Sequence, residues 1–343
     1  MKKTLFFVFS AMFISCNNQL APVAADALLP VVITQKTPND TDDPAIWIHP
    51  ADPAQSLVLG TDKNEANGGL YLFDLKGNIV NKFVPLDRPN NVDVAYGMLW
   101  NGQKTDIAVV TERKKNQIRV FSLPDLQPID GGGIPVFEGE TLRDPMGIAT
   151  YSDAENGKIY VIVGRKEGPS ESYLWQYELT ANELVTAYKV REFGKYSGKK
   201  EIEAIAVDNQ LGYIYYCDET VGIRKYYADP KKGNEELALF ATEGFKRDHE
   251  GIAIYHQTDT TGYILVSNQQ KNTFMVYPRE GIAGNPHQYP LLAQIPLSSI
   301  ECDGADVTNI PLNEQFPQGM LVVMSNGKIF QYYDWQEIAS KIK

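Results

Sequence analysis

Short apolar runs alternate along this chain with turns rich in glycine, asparagine and aspartate, and the alternation recurs at a nearly constant interval. DDPAIWIHP (42–50) has counterparts in NNVDVAYG (90–97), DPMGIATY (144–151), EIEAIAVD (201–208), DHEGIAIY (248–255) and ECDGADVT (301–308). Aligned on Ala45, Asp93, Gly147, Ala204, Gly251 and Gly304, these segments lie 48, 54, 57, 47 and 53 residues apart. Each is followed by a second apolar run (SLVLGTDK in the first unit, GYIYYCDE in the fourth) and a third (GLYLFDL, GIRKYYA). Most units add a less regular fourth, such as NIVNKFVPL or ELALFAT. Runs of this length, rich in β-branched and aromatic residues and bounded by turn formers, read as strands.

Four antiparallel strands repeated six times at a period near fifty residues predict an all-β fold, a six-bladed β-propeller. The sixth unit stops after three strands, and a spare run, PVVITQK (30–36), precedes the first. Pairing that N-terminal strand with the C-terminal blade closes the ring and removes an open edge. The propeller is therefore expected to span 30–343. A pair of β-sandwiches would use similar strands but leaves the six-fold period unexplained.

The composition, 43% hydrophobic and 22% charged, is ordinary for a folded protein. The net charge of −11 argues against nucleic acid as a partner, which calls for basic excess. It also disfavours a polyanionic substrate unless bound cations reverse the local sign. Lys2 and Lys3 precede the apolar run LFFVFSAMFIS, which reads as an export signal and is too short to span a bilayer comfortably. FISC (13–16) resembles a bacterial lipoprotein box. Residues 1–16 are thus expected to be a signal ending at a lipidated Cys16, with 17–29 a tether. The protein would then be exported and lipid-anchored in the cell envelope, its membrane contact confined to the anchor. A plain signal peptide cut nearby would make it a secreted protein. Whether Cys217 and Cys302 pair is left open by the sequence.

Polar residues recur at fixed places in the units. Three positions before each anchor stand Asp42, Asn90, Asp144, Glu201, Asp248 and Glu301; one position before it, units four to six add Glu203, Glu250 and Asp303. The second strands end in Lys63, Arg113, Arg165–Lys166–Glu167, Asp218–Glu219 and Asn268–Gln269. In a propeller these two sets share one face. A lone acid before a strand is most often a turn former; a column of them around a narrow channel mouth is electrostatically costly without a counter-ion. Dense carboxylate oxygens suit Ca²⁺, which takes six to eight oxygen ligands, and four histidines without zinc spacing give no zinc site. Lys63, Arg113, Arg165 and Lys166 are expected to face the acids as a basic wall, an arrangement suited to a phosphate ester.

TDDPAIWIHP, TDK, NNVDVAYG, DIAVVTER, GRKEG, EIEAIAVD, DHEGIAIY and CDGADV, in this order over about residues 38–338, resemble the β-propeller phytases. The resemblance implies a calcium-dependent, six-bladed enzyme hydrolysing phosphate monoesters of myo-inositol hexakisphosphate (phytate). Hydrolysis would proceed by attack of a metal-activated water without a covalent intermediate, on a calcium–phytate complex. It implies several calcium ions. Asp43 with the carbonyls of Pro44 and Val92 would form a stabilising site, while Asp42, Glu203, Glu219, Asp248, Glu250, Gln269 and Asp303 would serve cleft calcium or phosphate. Lys63, Arg113 and Lys166, accompanied by Glu167, would hold the substrate phosphate, and Glu203 or Glu219 would orient the water. Asn64 and Met146 replace a lysine and a tyrosine common in the family. A calcium-dependent lactonase and a non-enzymatic binding propeller are the alternative readings. A closed propeller is expected to act as a monomer.

Overall fold

The computed structural model describes residues 20–342, so the proposed signal and Cys16 lie outside the described residues. Six antiparallel sheets follow one another along the chain. Blade one consists of Thr41–Trp47, Leu57–Asp62, Gly68–Phe73 and Ile79–Leu86. The first strands of blades two to six are Pro89–Trp100, Pro145–Ser152, Ile205–Asp208, His249–His256 and Ala305–Thr308. Blade two departs from the four-strand plan, because its outer strand is split into Gln127–Pro128 and Ile134–Pro135. Blade six is completed by Val32–Ile33, which pairs antiparallel with Ile329–Asp334 in the register Val32↔Tyr332. The predicted closure is observed, with the pairing run shorter than the segment 30–36.

The blades pack face to face through apolar clusters, such as Val109, Val120, Val161 and Trp175 between blades two and three. Val58, Phe73, Val322 and Phe330 do the same between blades one and six. A deeply buried ion pair adds a polar lock between blades four and five. Arg279 donates Nε to Asp208 Oδ2 at 2.6 Å and Nη2 to Asp208 Oδ1 at 2.7 Å, and Nη1 reaches the carbonyl of Thr258 at 2.9 Å.

Residues 20–29, within the expected tether, lie along the body. Asn272 Nδ2 donates to the Ala21 carbonyl, and Leu28 bridges the strand end of blade five through Pro296 and Ser298. Cys217 and Cys302 are both buried free thiols, each directed at a backbone carbonyl.

Two local features shape the mouth of the central channel. The first strands of blades one, two, three and five share a register irregularity, at Thr41/Pro44, Pro89/Val92, Pro145/Ile148 and His249/Ile252. A bulge re-aims successive side chains; here Asp42 faces Lys63 and Asn90, while Asp43 lines the channel. The anchor glycines are the second feature. A side chain on Gly147 would overlap the Glu203 carbonyl, and one on Gly304 would overlap Asp43. Bare glycine backbone here lets neighbouring first strands touch.

Asp43, Pro44, Val92, Asp93 and Asp306 line a channel cavity of about 140 Å³. Asp306 accepts hydrogen bonds from the Ile46 and Val307 amides, both at 2.7 Å. Burial, reinforced by Asp93, pushes its carboxyl up to about 7 from an ordinary 3.8. A carboxyl raised on folding favours the protonated native state. Its stabilising contribution is therefore full below about pH 4 and lost as pH rises through about 7. In chelator, wild-type melting temperature should carry this decline between pH 4 and 8, and Asp306→Asn should flatten that part of the profile; parallel profiles would contradict the assignment.

Candidate active site

A one-residue register rule builds the rim. In all six blades the last residue of the second strand is buried and polar: Asp62, Glu112, Arg165, Asp218, Asn268 and Ser325. Each ties down the loop leading into its own first strand. Asp62 accepts from the Asn39 amide at 2.9 Å, Glu112 from Asp87 at 2.9 Å and Asp218 from Ser197 at 3.1 Å. Asn268 accepts from Lys246 at 3.0 Å and Ser325 from Ile300 at 3.0 Å. Arg165 reverses the polarity by donating to the Leu142 carbonyl at 3.1 Å.

The residue immediately after this anchor is Lys63, Arg113, Lys166, Glu219 or Gln269 in blades one to five. Four of these, Lys63, Arg113, Lys166 and Glu219, line a cavity of about 200 Å³ together with Glu203, Glu250 and Asp303. Gln269 reaches the same group by donating Nε2 to Asp303 Oδ1.

Arg165, expected in the basic wall, does not line this cavity. It is 1% exposed, its guanidinium lies 4.6 Å from the Phe137 ring centroid, and Nη1 pairs with Glu140 at 3.0 Å. It supports the rim from beneath and does not face the substrate side. Glu167 is exposed in an adjoining depression with Lys166, outside the main cavity.

The acids and cations also interleave, where separate walls were expected. Lys63 Nζ lies 2.7 Å from Asp42 Oδ1 and 2.6 Å from Asp303 Oδ2, bridging blades one and six. Lys166 pairs with Glu201 at 3.0 Å. The reason is reach: on a narrow mouth, a lysine stem spans the gap between neighbouring blades. Burial opposes the charged form of Lys63, but attraction from Asp42 and Asp303 outweighs it and holds the ammonium charged.

Glu203, Glu219 and Glu250 each place one oxygen within 4.8 Å of the others. Burial and mutual repulsion raise Glu203 and Glu250 well above the usual carboxylate range. Burial pushes Glu219 up to about 7 and Asp303 to about 6, in each case against a nearby lysine. Asn90 Nδ2 donates to Asp42 Oδ2 at 3.1 Å and Glu203 Oε1 at 3.2 Å, while its buried Oδ1 and Glu250 Oε2 have no hydrogen-bond partner. Orphaned buried oxygens among converging carboxylates are the donor set a hard divalent cation satisfies. These residues therefore fit calcium. Asp43, Pro44 and Val92 do come together, but on the channel side, where Asp43 Oδ2 accepts from the Val92 amide at 3.0 Å. Asp248, 5% exposed, is held by Gln270 Nε2 at 2.6 Å.

Two cavity cations escaped sequence reasoning. Arg88 precedes the Asn90 column by two residues, and Lys200 precedes Glu201 by one. Basic residues just ahead of the acidic column were the available signal.

A six-bladed propeller with an acidic bowl and a cationic lip at one end of its channel is the class that fold and site define. The chain belongs to the Phytase family, whose profile matches residues 7–340. It is 29% identical over 321 residues to the 3-phytase of Bacillus subtilis (strain 168), an alignment covering 88% of this chain and 81% of that protein. Among solved structures, a luciferin-regenerating enzyme superposes with a TM-score of 0.52 at 14% identity, covering 88% of this chain and 95% of that one; this likeness concerns fold alone.

Proposed function

We propose that the protein is a calcium-dependent phytase that hydrolyses phosphate monoesters of phytate. The observation that carries this reading is the convergence of Lys63, Arg113 and Lys166 on the same cavity as Glu203, Glu219, Glu250 and Asp303. A lactone substrate is neutral and has no use for three cations on the lip, and a passive binding surface has no use for carboxyls held near neutrality. Membership of the Phytase family and the likeness to a 3-phytase point the same way.

Lys63, Arg113 and Lys166 would grip the phosphate oxygens, Arg113 with its planar fork and the lysines as point charges. Asp42 and Asp303 hold Lys63 between them, and Asn90 sets the distance between Asp42 and Glu203. Glu203, Glu219, Asp248, Glu250 and Asp303 would hold calcium, with Gln269 orienting Asp303. Calcium, when bound, supplies positive charge to the phosphate oxygens and acidifies water. Glu219, whose oxygen converges with those of Glu203 and Glu250, would orient the attacking water. Glu203 is the alternative for orienting that water. Export with a lipid anchor on Cys16, and action as a monomer, belong to the same reading.

The test is inorganic phosphate release from phytate as calcium is titrated in. Turnover should rise with calcium and vanish when EDTA is added. Turnover unaffected by chelation would remove calcium from the reading, and hydrolysis of lactones but not phytate would replace it.

A further inference from the structure

Lys200 stands where neither the repeat nor the family motifs place a cation. Its Nζ lies 2.7 Å from Asp248 Oδ2, 2.9 Å from Glu219 Oε2 and 3.9 Å from Glu250 Oε1. The contacts to Asp248 and Glu219 are close enough for ion pairs. Yet Glu219 Oε2 and Glu250 Oε2 remain without an aligned hydrogen bond. The ammonium therefore satisfies the charge of this cluster better than its geometry.

We propose that Lys200 is a built-in competitor for calcium: its ammonium neutralises Glu219, Asp248 and Glu250 when the ion is absent and must leave for the ion to bind there. This rests on the calcium reading above and adds its regulation. Ca–O bonds of about 2.3–2.6 Å require the same oxygens that face Nζ, so the two cations exclude one another.

The surroundings allow the exchange at low cost. The backbone of the loop is pinned: the Lys195 amide donates to Tyr216 Oη at 2.9 Å, the Ser197 amide to Asp218 Oδ2 at 3.1 Å, and Tyr196 Oη bonds the Lys200 carbonyl. The Lys200 side chain itself is 41% exposed and borders a second depression of about 370 Å³ lined by Lys166, Glu167 and Lys199. Rotation of one side chain, without loop movement, frees the carboxylates. The other charged groups nearby are Glu201, which Lys166 occupies, Glu167, which lines the depression and can receive the displaced ammonium, and Lys199 and Lys166, which repel an ammonium arriving beside them. That repulsion favours the paired position while calcium is scarce.

A competing state holding about nine-tenths of the molecules lowers apparent affinity about tenfold. Isothermal titration of the full-length, calcium-depleted protein should therefore show Lys200→Met binding calcium about tenfold more tightly than wild type at one site. The same variant should melt lower than wild type in EDTA and no lower at saturating calcium. Lys200→Arg keeps the charge and grips two carboxylates, so it should bind calcium no more tightly than wild type. It serves as the second test if Lys200→Met does not fold without metal, as does back-titration of calcium-loaded Lys200→Met with a competing chelator. Unchanged or weaker calcium binding by Lys200→Met, or tighter binding by Lys200→Arg, overturns the proposal while leaving the phytase reading intact. A wild-type protein that binds no calcium overturns both this proposal and the calcium part of that reading.

Discussion

Lys63→Ala is expected to lower phytate turnover by about 10²–10³-fold, the loss typical of removing one preorganised group from a site of developing charge. Lys63 is the ammonium between blades one and six, held against Asp42 and Asp303 at 2.7 and 2.6 Å. On the proposed reading its removal takes away a phosphate contact. It also leaves two acids facing each other with one fewer cation, which makes the cavity more hostile to a substrate carrying many negative charges. Both effects grow as the transferring phosphoryl group develops charge on its oxygens, so kcat should fall more than KM rises. Arg113→Ala should act in the same direction. The two losses need not add, because both cations line one cavity. Phosphate release under saturating calcium measures this. A Lys63→Ala enzyme within a fewfold of wild type would mean that the lip does not contact the reacting phosphate.

Arg279→Ala is expected to destabilise the fold by about 3–5 kcal/mol while sparing catalysis, because it strands a buried carboxylate without its partner. Asp208 and Arg279 are both fully buried. Asp208 ends the first strand of blade four and Arg279 follows the third strand of blade five, Thr273–Pro278, so the pair sits at the rim opposite the acidic bowl. Every guanidinium nitrogen is engaged, by Asp208, Gln210 and the carbonyls of Thr258 and Thr261. Chemical denaturation of wild type and variant in calcium gives the free energy, and phytate turnover at low temperature tests whether the site is untouched. The double variant Asp208→Leu/Arg279→Met should recover only part of the loss: the pair's cost of desolvation disappears with it, but the Gln210 and Leu211 amides lose their acceptor in Asp208.

The fold was legible because the ring repeats. Six copies of one strand–turn–strand pattern average out the ambiguity of any single short apolar run, and the missing fourth strand of blade six had one source, the segment around Val32. The acidic columns were legible for the same reason: Asp42 and Asp248 occupy one equivalent place, Glu203, Glu250 and Asp303 another, and the fold brings them together. Position within a turn was harder. GRKE presents three charged residues in a row, and the sequence does not show that Arg165 ends the strand and goes under the rim while Lys166 goes over it. Phe137 and Trp175, which receive the guanidinium, are distant in the chain, so no local pattern announces them. Lys200 escaped because it lies in a loop outside the repeated strands. The interleaving of charges escaped because it depends on how far a lysine reaches between adjacent blades. The docking of residues 20–29 escaped because AAD and LLP offer no strand pattern of their own.

The bare backbones of Gly147, Gly251 and Gly304 let one first strand rest on the next. The spacing of the carboxylates is thereby set by main-chain contact and owes little to the outer loops. Such a bowl keeps its dimensions while the periphery varies. Loops on the lip are accordingly the part of this architecture that can be exchanged to change what is bound, with the carboxylate floor left as it is.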